Sequence, residues 1–320
     1  MAVRPVAFYA VSDKDHFLGL LALLNSLRLA GHVEPLLVAD CGLAPWQRNL
    51  LAGHAEVVAV EAPFAPHLLK PVLPLEHPAG VMALLDADLI VLRSLAPLLE
   101  SAAAGRIVAF ADPVSDRFDP TWEVLLNLPP LRRQPYVNSG LVVLPRDPGT
   151  RVLQAAATGR LQVDYARTRP AGGHPSDPFY YLDQDVLNAI LASLLEPDDV
   201  EILETRLVPH PPFAGLRRMG DRYGYKDGSQ PYALHHVDRK PWLSATRRNL
   251  YTELMPRLLL GDGLTVRLDA KEVPRRFRPG LLAALARMRA ETAALGHEQR
   301  GKLGLRRRLG EWRIGSRRGA

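Results

Sequence analysis

Leu84-Leu85-Asp86-Ala87-Asp88-Leu89-Ile90-Val91 places two carboxylates, one residue apart, inside an otherwise apolar run. The run reads as a buried strand reaching its carboxyl end. Burying an unpaired carboxylate costs several kcal/mol, roughly, so a pair at such a point calls for a cation or for solvent. An Asp-x-Asp at a strand's carboxyl edge can give one carboxylate to a divalent ion and turn the second toward the ion or a ligand hydroxyl. That chemistry suits Mg²⁺ and Mn²⁺. A turn carrying two solvated aspartates is the other reading of the same residues, and the motif alone leaves both open.

Outward from this stretch, short apolar runs alternate with helical segments. Residues 6–11, 36–39 and 57–60 have β-type composition. A helical pattern over residues 16–30, with Phe17, Leu20, Leu21 and Leu24 at helical spacing, and a helix starting near Pro45 lie between them. Strands at 81–85 and 107–110 continue the series, and residues 136–144 form a further β-type run broken by Asn138-Ser139-Gly140. The pattern predicts an α/β fold with a Rossmann-type, mostly parallel sheet flanked by helices, whose ligands bind outside the carboxyl ends of the strands. Asp13, Asp86 and Asp88 all fall at such ends. The Pro- and Gly-rich stretches 128–135, 169–178 and 209–215 read as loops, the second long enough to be a lid.

Composition narrows the function classes. The 320 residues are 47% hydrophobic, ample for a buried core, and the single cysteine, Cys41, excludes an internal disulfide or a multi-cysteine zinc site. No apolar run reaches the roughly 18 residues of a membrane span, and residues 1–10 lack the pattern of a signal peptide, so a cytoplasmic location is expected. The charge is uneven. Residues 271–320 hold 14 Lys or Arg against 4 Asp or Glu, whereas the preceding 270 hold 26 against 30. A mildly acidic body with a basic extension argues against a surface that grips nucleic acid throughout. The expected division is a catalytic domain over 1–260 and a basic, partly helical C-terminal extension over 261–320.

Four further segments stand in a fixed order around the Asp-x-Asp. Leu68-Leu69-Lys70-Pro71 precedes it. Tyr136-Val137-Asn138-Ser139-Gly140, Asp183-Gln184-Asp185-Val186-Leu187-Asn188 and Leu234-His235-His236-Val237-Asp238-Arg239-Lys240-Pro241-Trp242 follow. In this order and spacing, over roughly residues 3–250, the chain resembles the family 8 glycosyltransferases, which have a GT-A fold. The resemblance implies a metal site of Asp86, Asp88 and His235, a mixed oxygen and nitrogen set that favours Mn²⁺ with Mg²⁺ as a second choice. It implies donor contacts from Lys240 to a diphosphate, Asp13 near a uracil, Lys70 on the donor side and Asn138 in the donor-sugar pocket. Asp183, Gln184 and Asp185 would lie beside the donor sugar as the catalytic segment. Two departures bear on the diphosphate grip: Asp238-Arg239 stands where the family commonly has Gly-Pro, and Lys70 replaces an arginine.

Read alone, each of these residues also has an ordinary role. Asp183 and Asp185 would complement the dipole of a helix they open, Asn138 before Ser139-Gly140 would mark a bulge or turn, and Trp242 would pack. On a strand only one of His235 and His236 faces the site, and the offset to Lys240 selects His235. Removing Asp86 or Asp88 is expected to abolish activity while relieving carboxylate repulsion, which would if anything favour folding.

The resemblance therefore implies a metal-dependent, retaining transfer of a hexosyl group from a UDP-sugar to a glycan or lipid-linked acceptor. Two readings from other classes stand beside it. A haloacid-dehalogenase-type phosphatase would use Asp86 as nucleophile and Asp88 as acid, and a non-catalytic protein would bind sugar nucleotides or nucleic acid. In the tail, Leu281, Leu282, Leu285 and Met288 recur at helical spacing beside Arg287 and Arg289, and residues 303–318 interleave apolar residues with arginines. That composition suits an interfacial helix and a basic anchor, which would hold the protein peripherally on an anionic membrane's inner face.

Overall fold

The computed structural model describes residues 3–60, 65–114, 116–237, 239–282 and 284–295. Among the described residues the strands are β1 (Arg4–Ser12), β2 (Leu36–Asp40), β3 (Glu56–Ala59), β4 (Ala79–Leu85), β5 (Leu89–Val91), β6 (Ile107–Ala111), β7 (Val137–Pro145), β8 (Val200–Leu203), β9 (Arg217–Met219), β10 (Arg222–Gly224) and β11 (Ala233–His235). The helices are α1 (Phe17–Leu29), α2 (Pro45–Leu51), α3 (Val72–Glu76), α4 (Ala96–Ala103), α5 (Trp122–Leu125), α6 (Arg146–Gly159), α7 (Asp183–Leu194) and α8 (Leu250–Leu260).

Seven strands form the central sheet in the order β3-β2-β1-β4-β7-β6-β8. All neighbours are parallel except β7, which runs antiparallel to both β4 and β6. The expected mostly parallel sheet with flanking helices is present. Phe8, Ala10, Val38 and Ala83 face a core shared with α1 and α8, while Tyr9, Leu37, Ala39 and Met82 face a second core beneath α6 and α7. This alternation is the period-two pattern of strands buried on both faces.

Three local expectations change. The run 136–144 is not broken at Asn138-Ser139-Gly140: β7 is continuous and buried along its length. The run 84–91 is divided, because β4 ends at Leu85 and Asp86-Ala87-Asp88 turns the chain into β5. That strand leaves the main sheet and pairs with β11, with His235 opposite Leu89. This pairing is a contact across more than 140 residues of sequence and carries no local signature. The lid expected over 169–178 holds a short 3-10 turn, Arg169–Ala171.

α1 is apolar on nearly every side because the sheet and α8 enclose it. Its one buried amide, Asn25, donates to the carbonyls of Leu258 and Val266 at 2.8 and 2.7 Å and accepts from the Val266 N–H at 3.0 Å. That side chain ties α8 and the segment after it to the body, and Val266, Leu268, Val273 and Phe277 join the same core. Residues 284–295 are helical, with Leu285 and Met288 exposed. The basic anchor expected at 303–318 lies outside the described residues. Among the described residues no helix is long and apolar enough to cross a membrane.

Candidate active site

A cavity of about 1520 Å³ opens at the carboxyl edge of the sheet. Asp13 reaches it from the end of β1, Asp86 and Asp88 from the end of β4, and Asp183 and Gln184 from the first turn of α7. Asn138 and Ser139 reach the same edge because β7 is antiparallel, so its beginning lies where its neighbours end. His235 closes β11, Lys240 follows it, and Lys70 stands just ahead of α3.

The charged groups interlock. Lys70 Nζ lies 2.6 Å from Asp86 and 2.8 Å from Asp183, and it donates to the carbonyl and hydroxyl oxygens of Ser139, each at 3.2 Å. Lys240 pairs with Asp88 and also donates to the His236 carbonyl at 3.0 Å. His235 Nε2 faces both motif carboxylates, at 3.5 Å from Asp86 and 3.2 Å from Asp88. Burial by itself would push the His235 imidazole down, but the two aspartates outweigh it and hold it up at about 9. Burial would likewise raise Asp86, yet Lys70 and His235 bring it to about 2, and Lys240 with His235 holds Asp88 well below the usual range.

This balance corrects the expectation that deleting Asp86 or Asp88 would relieve repulsion. Each carboxylate is matched by cations: removing Asp88 takes from Lys240 the carboxylate it pairs with, whereas without Asp86 Lys70 keeps Asp183 and His235 keeps Asp88, so neither deletion simply relieves repulsion.

Two glycines set the geometry. A Cβ at Gly140 would lie 2.2 Å from His235 Cε1, and one at Gly19 on α1 would lie 2.4 Å from the Ala87 carbonyl and 2.5 Å from the Trp242 ring. Only glycine lets the imidazole and the Asp-Ala-Asp turn sit where they do. Trp242 packs, as expected, and its indole N–H donates to the Asp15 carbonyl at 2.7 Å.

Ligand atoms of Asp86, Asp88 and His235 lie within 4.8 Å of one another. Asp88 Oδ1 is buried and, beside the His235 imidazole 3.2 Å away, accepts no hydrogen bond among the described residues. Two carboxylates and an imidazole, with a buried oxygen that takes no hydrogen bond, fit a divalent ion of intermediate hardness. His236 is not a candidate ligand, and it does not face outward as alternation would require. It is 4% exposed and packs edge-on against Tyr251 with centroids 4.9 Å apart, and burial pulls its imidazole down to about 4. β11 ends at His235, so the strand rule no longer governs the next residue.

Asn138 and Gln184 form a network with Asp112. Asn138 Nδ2 donates to Asp112 at 2.9 Å and to Gln184 Oε1 at 3.0 Å, and Gln184 Nε2 donates to Asp112 at 3.2 Å. Asp13 accepts from the His16 backbone N–H at 2.9 Å and pairs with its ring at 2.8 Å, which starts α1 and lowers the carboxyl despite burial. Asp185 is not brought to the cavity. Its carboxylate is fully buried and taken by Arg117 at 2.6 Å, the Tyr136 hydroxyl at 2.6 Å and the Tyr181 N–H at 2.6 Å, and burial raises it.

With that geometry in place, known structures can be set against it. Neither a family model nor a curated protein matches the sequence. An active-site mutant of LgtC superposes at a TM-score of 0.57 and 17% identity, covering 83% of this chain and 99% of that one. The galactosyltransferase LgtC with donor and acceptor sugar analogs gives 0.54 and 16%, with the same coverage. The glycosyltransferase GlyE of Streptococcus pneumoniae gives 0.51 and 13%, covering 81% of this chain and 61% of that one. The chain has the fold of these glycosyltransferases. The GT-A-like architecture thus stands on the sheet order and on structural neighbours alike.

Sequence reasoning missed Asp112, Arg117, Gly19 and Ser139. Asp112 had a readable signal, a carboxylate immediately after an apolar strand, like Asp13 and Asp86. Arg117 and Gly19 had none, since their partners are distant in sequence.

Proposed function

We propose that the protein is a metal-dependent retaining glycosyltransferase that moves a hexosyl group from a UDP-sugar to a glycan or lipid-linked acceptor. One observation carries the reading: Asp86, Asp88 and His235 converge with Lys70 and Lys240 on one large cavity at the carboxyl edge of the sheet. The fold supports it over the phosphatase and the non-catalytic binder. Mn²⁺ suits the donor set best, with Mg²⁺ as a second choice.

Breaking the bond to a nucleoside diphosphate puts negative charge on the departing phosphate. Asp86, Asp88 and His235 would hold a divalent ion, which would supply Lewis-acid stabilisation of that charge. Lys240 adds a fixed cation, steadied by Asp88 and the His236 carbonyl, and Lys70 adds a second on the donor side. Asp13 meets the nucleoside end. Asn138, held by Asp112, would meet the donor sugar, and Gln184, held by Asn138 and the Ser139 N–H, would steady the positive charge that develops on it.

Neither carboxylate of the α7 turn stands free as a nucleophile among the described residues, because Asp183 is paired with Lys70 and Asp185 is enclosed. Retention then follows from front-face displacement, with the departing phosphate oxygen taking the acceptor's proton. A covalent glycosyl adduct on Asp183 or Asp185, found by mass spectrometry, would overturn this step.

The test is thermal unfolding against a panel of nucleotide sugars with Mn²⁺. A donor at 100 times its dissociation constant raises stability by about 2.7 kcal/mol. A panel with no stabilising member contradicts the reading. We further propose a peripheral position on the inner face of an anionic membrane, where the exposed Leu281, Leu282, Leu285 and Met288 beside Arg287 and Arg289 would meet the surface. Salt-sensitive cosedimentation with anionic liposomes checks that position.

A further inference from the structure

Beyond the segment 241–248 lies a second cavity of about 330 Å³, between α8 and the helix at 284–295. Thr246 and Arg248 line both cavities, so a single stretch of chain is their shared wall. Four arginines line the smaller one, Arg248, Arg257, Arg276 and Arg287, against two acids, Glu253 and Glu291. Arg248 is neutralised by Glu253 at 2.9 Å. Arg287 spends one nitrogen on the carbonyls of Arg276 and Arg278, at 3.1 and 3.4 Å. Arg276 Nε is buried and has no hydrogen-bond partner among the described residues. Among the described residues Arg257 has no ion pair.

A buried guanidinium nitrogen without an acceptor is costly, and neighbouring like charges increase the cost unless an anion meets them. The fork of a guanidinium matches a phosphate bidentately, whereas the apolar wall from Pro256, Phe277 and Ala290 suits a hydrocarbon or sugar face beside it. We propose that this cavity holds a phosphate ester carried by the acceptor, placing the group to be glycosylated across the shared wall in the donor cavity. The inference rests on the transferase reading of that donor cavity. The phosphate ester can belong to a lipid-linked acceptor or to a soluble phosphorylated sugar.

The full chain is titrated by calorimetry, without metal, with hexyl phosphate, glucose 1-phosphate and inorganic phosphate. The unaltered protein is expected to bind an ester, and the double variant Arg276→Gln, Arg287→Gln to bind it at least about tenfold more weakly. Its thermal shift with UDP and Mn²⁺ should be unchanged, since neither arginine lines the donor cavity. If burial of Arg276 makes that variant unfold, Arg257→Gln with Arg287→Gln carries the test, both residues being exposed. Preference for hexyl phosphate points to a lipid-linked source, and preference for glucose 1-phosphate to a soluble one. Failure of both esters to bind, or equal affinity in the variants, overturns the subsite. A missing UDP and Mn²⁺ shift in the unaltered protein instead overturns the donor-site reading.

Discussion

A single methyl group at Gly140 should disable the metal site from behind. The added Cβ would stand 2.2 Å from His235 Cε1, 2.6 Å from His235 Nδ1 and 2.9 Å from Asn138 Oδ1. Carbon atoms in contact settle at about 3.5–4.0 Å, so the imidazole must retreat by about 1.3 Å or the strand must shift by as much. His235 is 3% exposed and packs edge-on against His210, with centroids 5.1 Å apart, which leaves it little room. Displacing a ligand this far should weaken Mn²⁺ binding by about 10–100-fold, the range seen when groups that orient ligands are lost. Overpacking should also cost about 1–3 kcal/mol of stability. Titrating Mn²⁺ by electron paramagnetic resonance into Gly140→Ala, alongside chemical denaturation, reads both effects. Mn²⁺ affinity within about twofold of the unaltered protein would refute the argument, since a displaced ligand cannot leave binding intact.

The other expectations concern charge. A metal takes neutral imidazole, so Mn²⁺ affinity should climb from pH 6.5 toward about 9 as His235 loses its proton, with proton release detectable by calorimetry in buffers of different ionisation enthalpy. Without metal the sign reverses. His235 is raised on folding, so its stabilising contribution is full below 6.5 and fades as pH rises through about 9. His236 is depressed to about 4, so protonation favours the unfolded chain and stability declines as pH falls from 6.5 toward 4. His236→Phe should remove that acid dependence and keep Mn²⁺ binding, whereas His235→Ala should lose the ion. Asp185→Ala leaves the Tyr136 hydroxyl and the Tyr181 N–H without their acceptor and leaves Arg117 only the carbonyls of Pro175, Asp177 and Pro178, and denaturation should show a loss of about 3–5 kcal/mol. An Asp185→Ala protein as stable as the original but inactive would instead put that carboxylate in the chemistry.

What the sequence disclosed was what repeats locally. The apolar runs of β1, β2 and β4 and the helical spacing of α1 are properties of neighbouring residues, and they place Asp13, Asp86 and Asp88 at one sheet edge. The antiparallel course of β7 is not local. Asn138-Ser139-Gly140 looks like a break because small polar residues usually end strands, yet here the glycine makes room for an imidazole nearly a hundred residues away. Asp183, Gln184 and Asp185 look equivalent in a first turn, and helix geometry separates them. The first two meet the cavity, and the third turns inward to Arg117 and Tyr136. The ion pairs that neutralise the motif also come from afar, Lys240 from 152 residues along the chain. No spacing rule could have shown that the carboxylates are already balanced.

The account turns on Asp88 as a metal-binding carboxylate in a sugar-nucleotide site. Its most direct measurement is UDP release from UDP-sugars by the full chain, with and without Mn²⁺, compared between the unaltered protein and Asp88→Asn. The substitution keeps the side chain's shape and removes its charge. Slow release that requires the ion and falls at least about hundredfold in the variant is predicted, from the loss of about 2.7 kcal/mol or more of transition-state stabilisation. Release that ignores the metal, or that Asp88→Asn leaves unchanged, would contradict it.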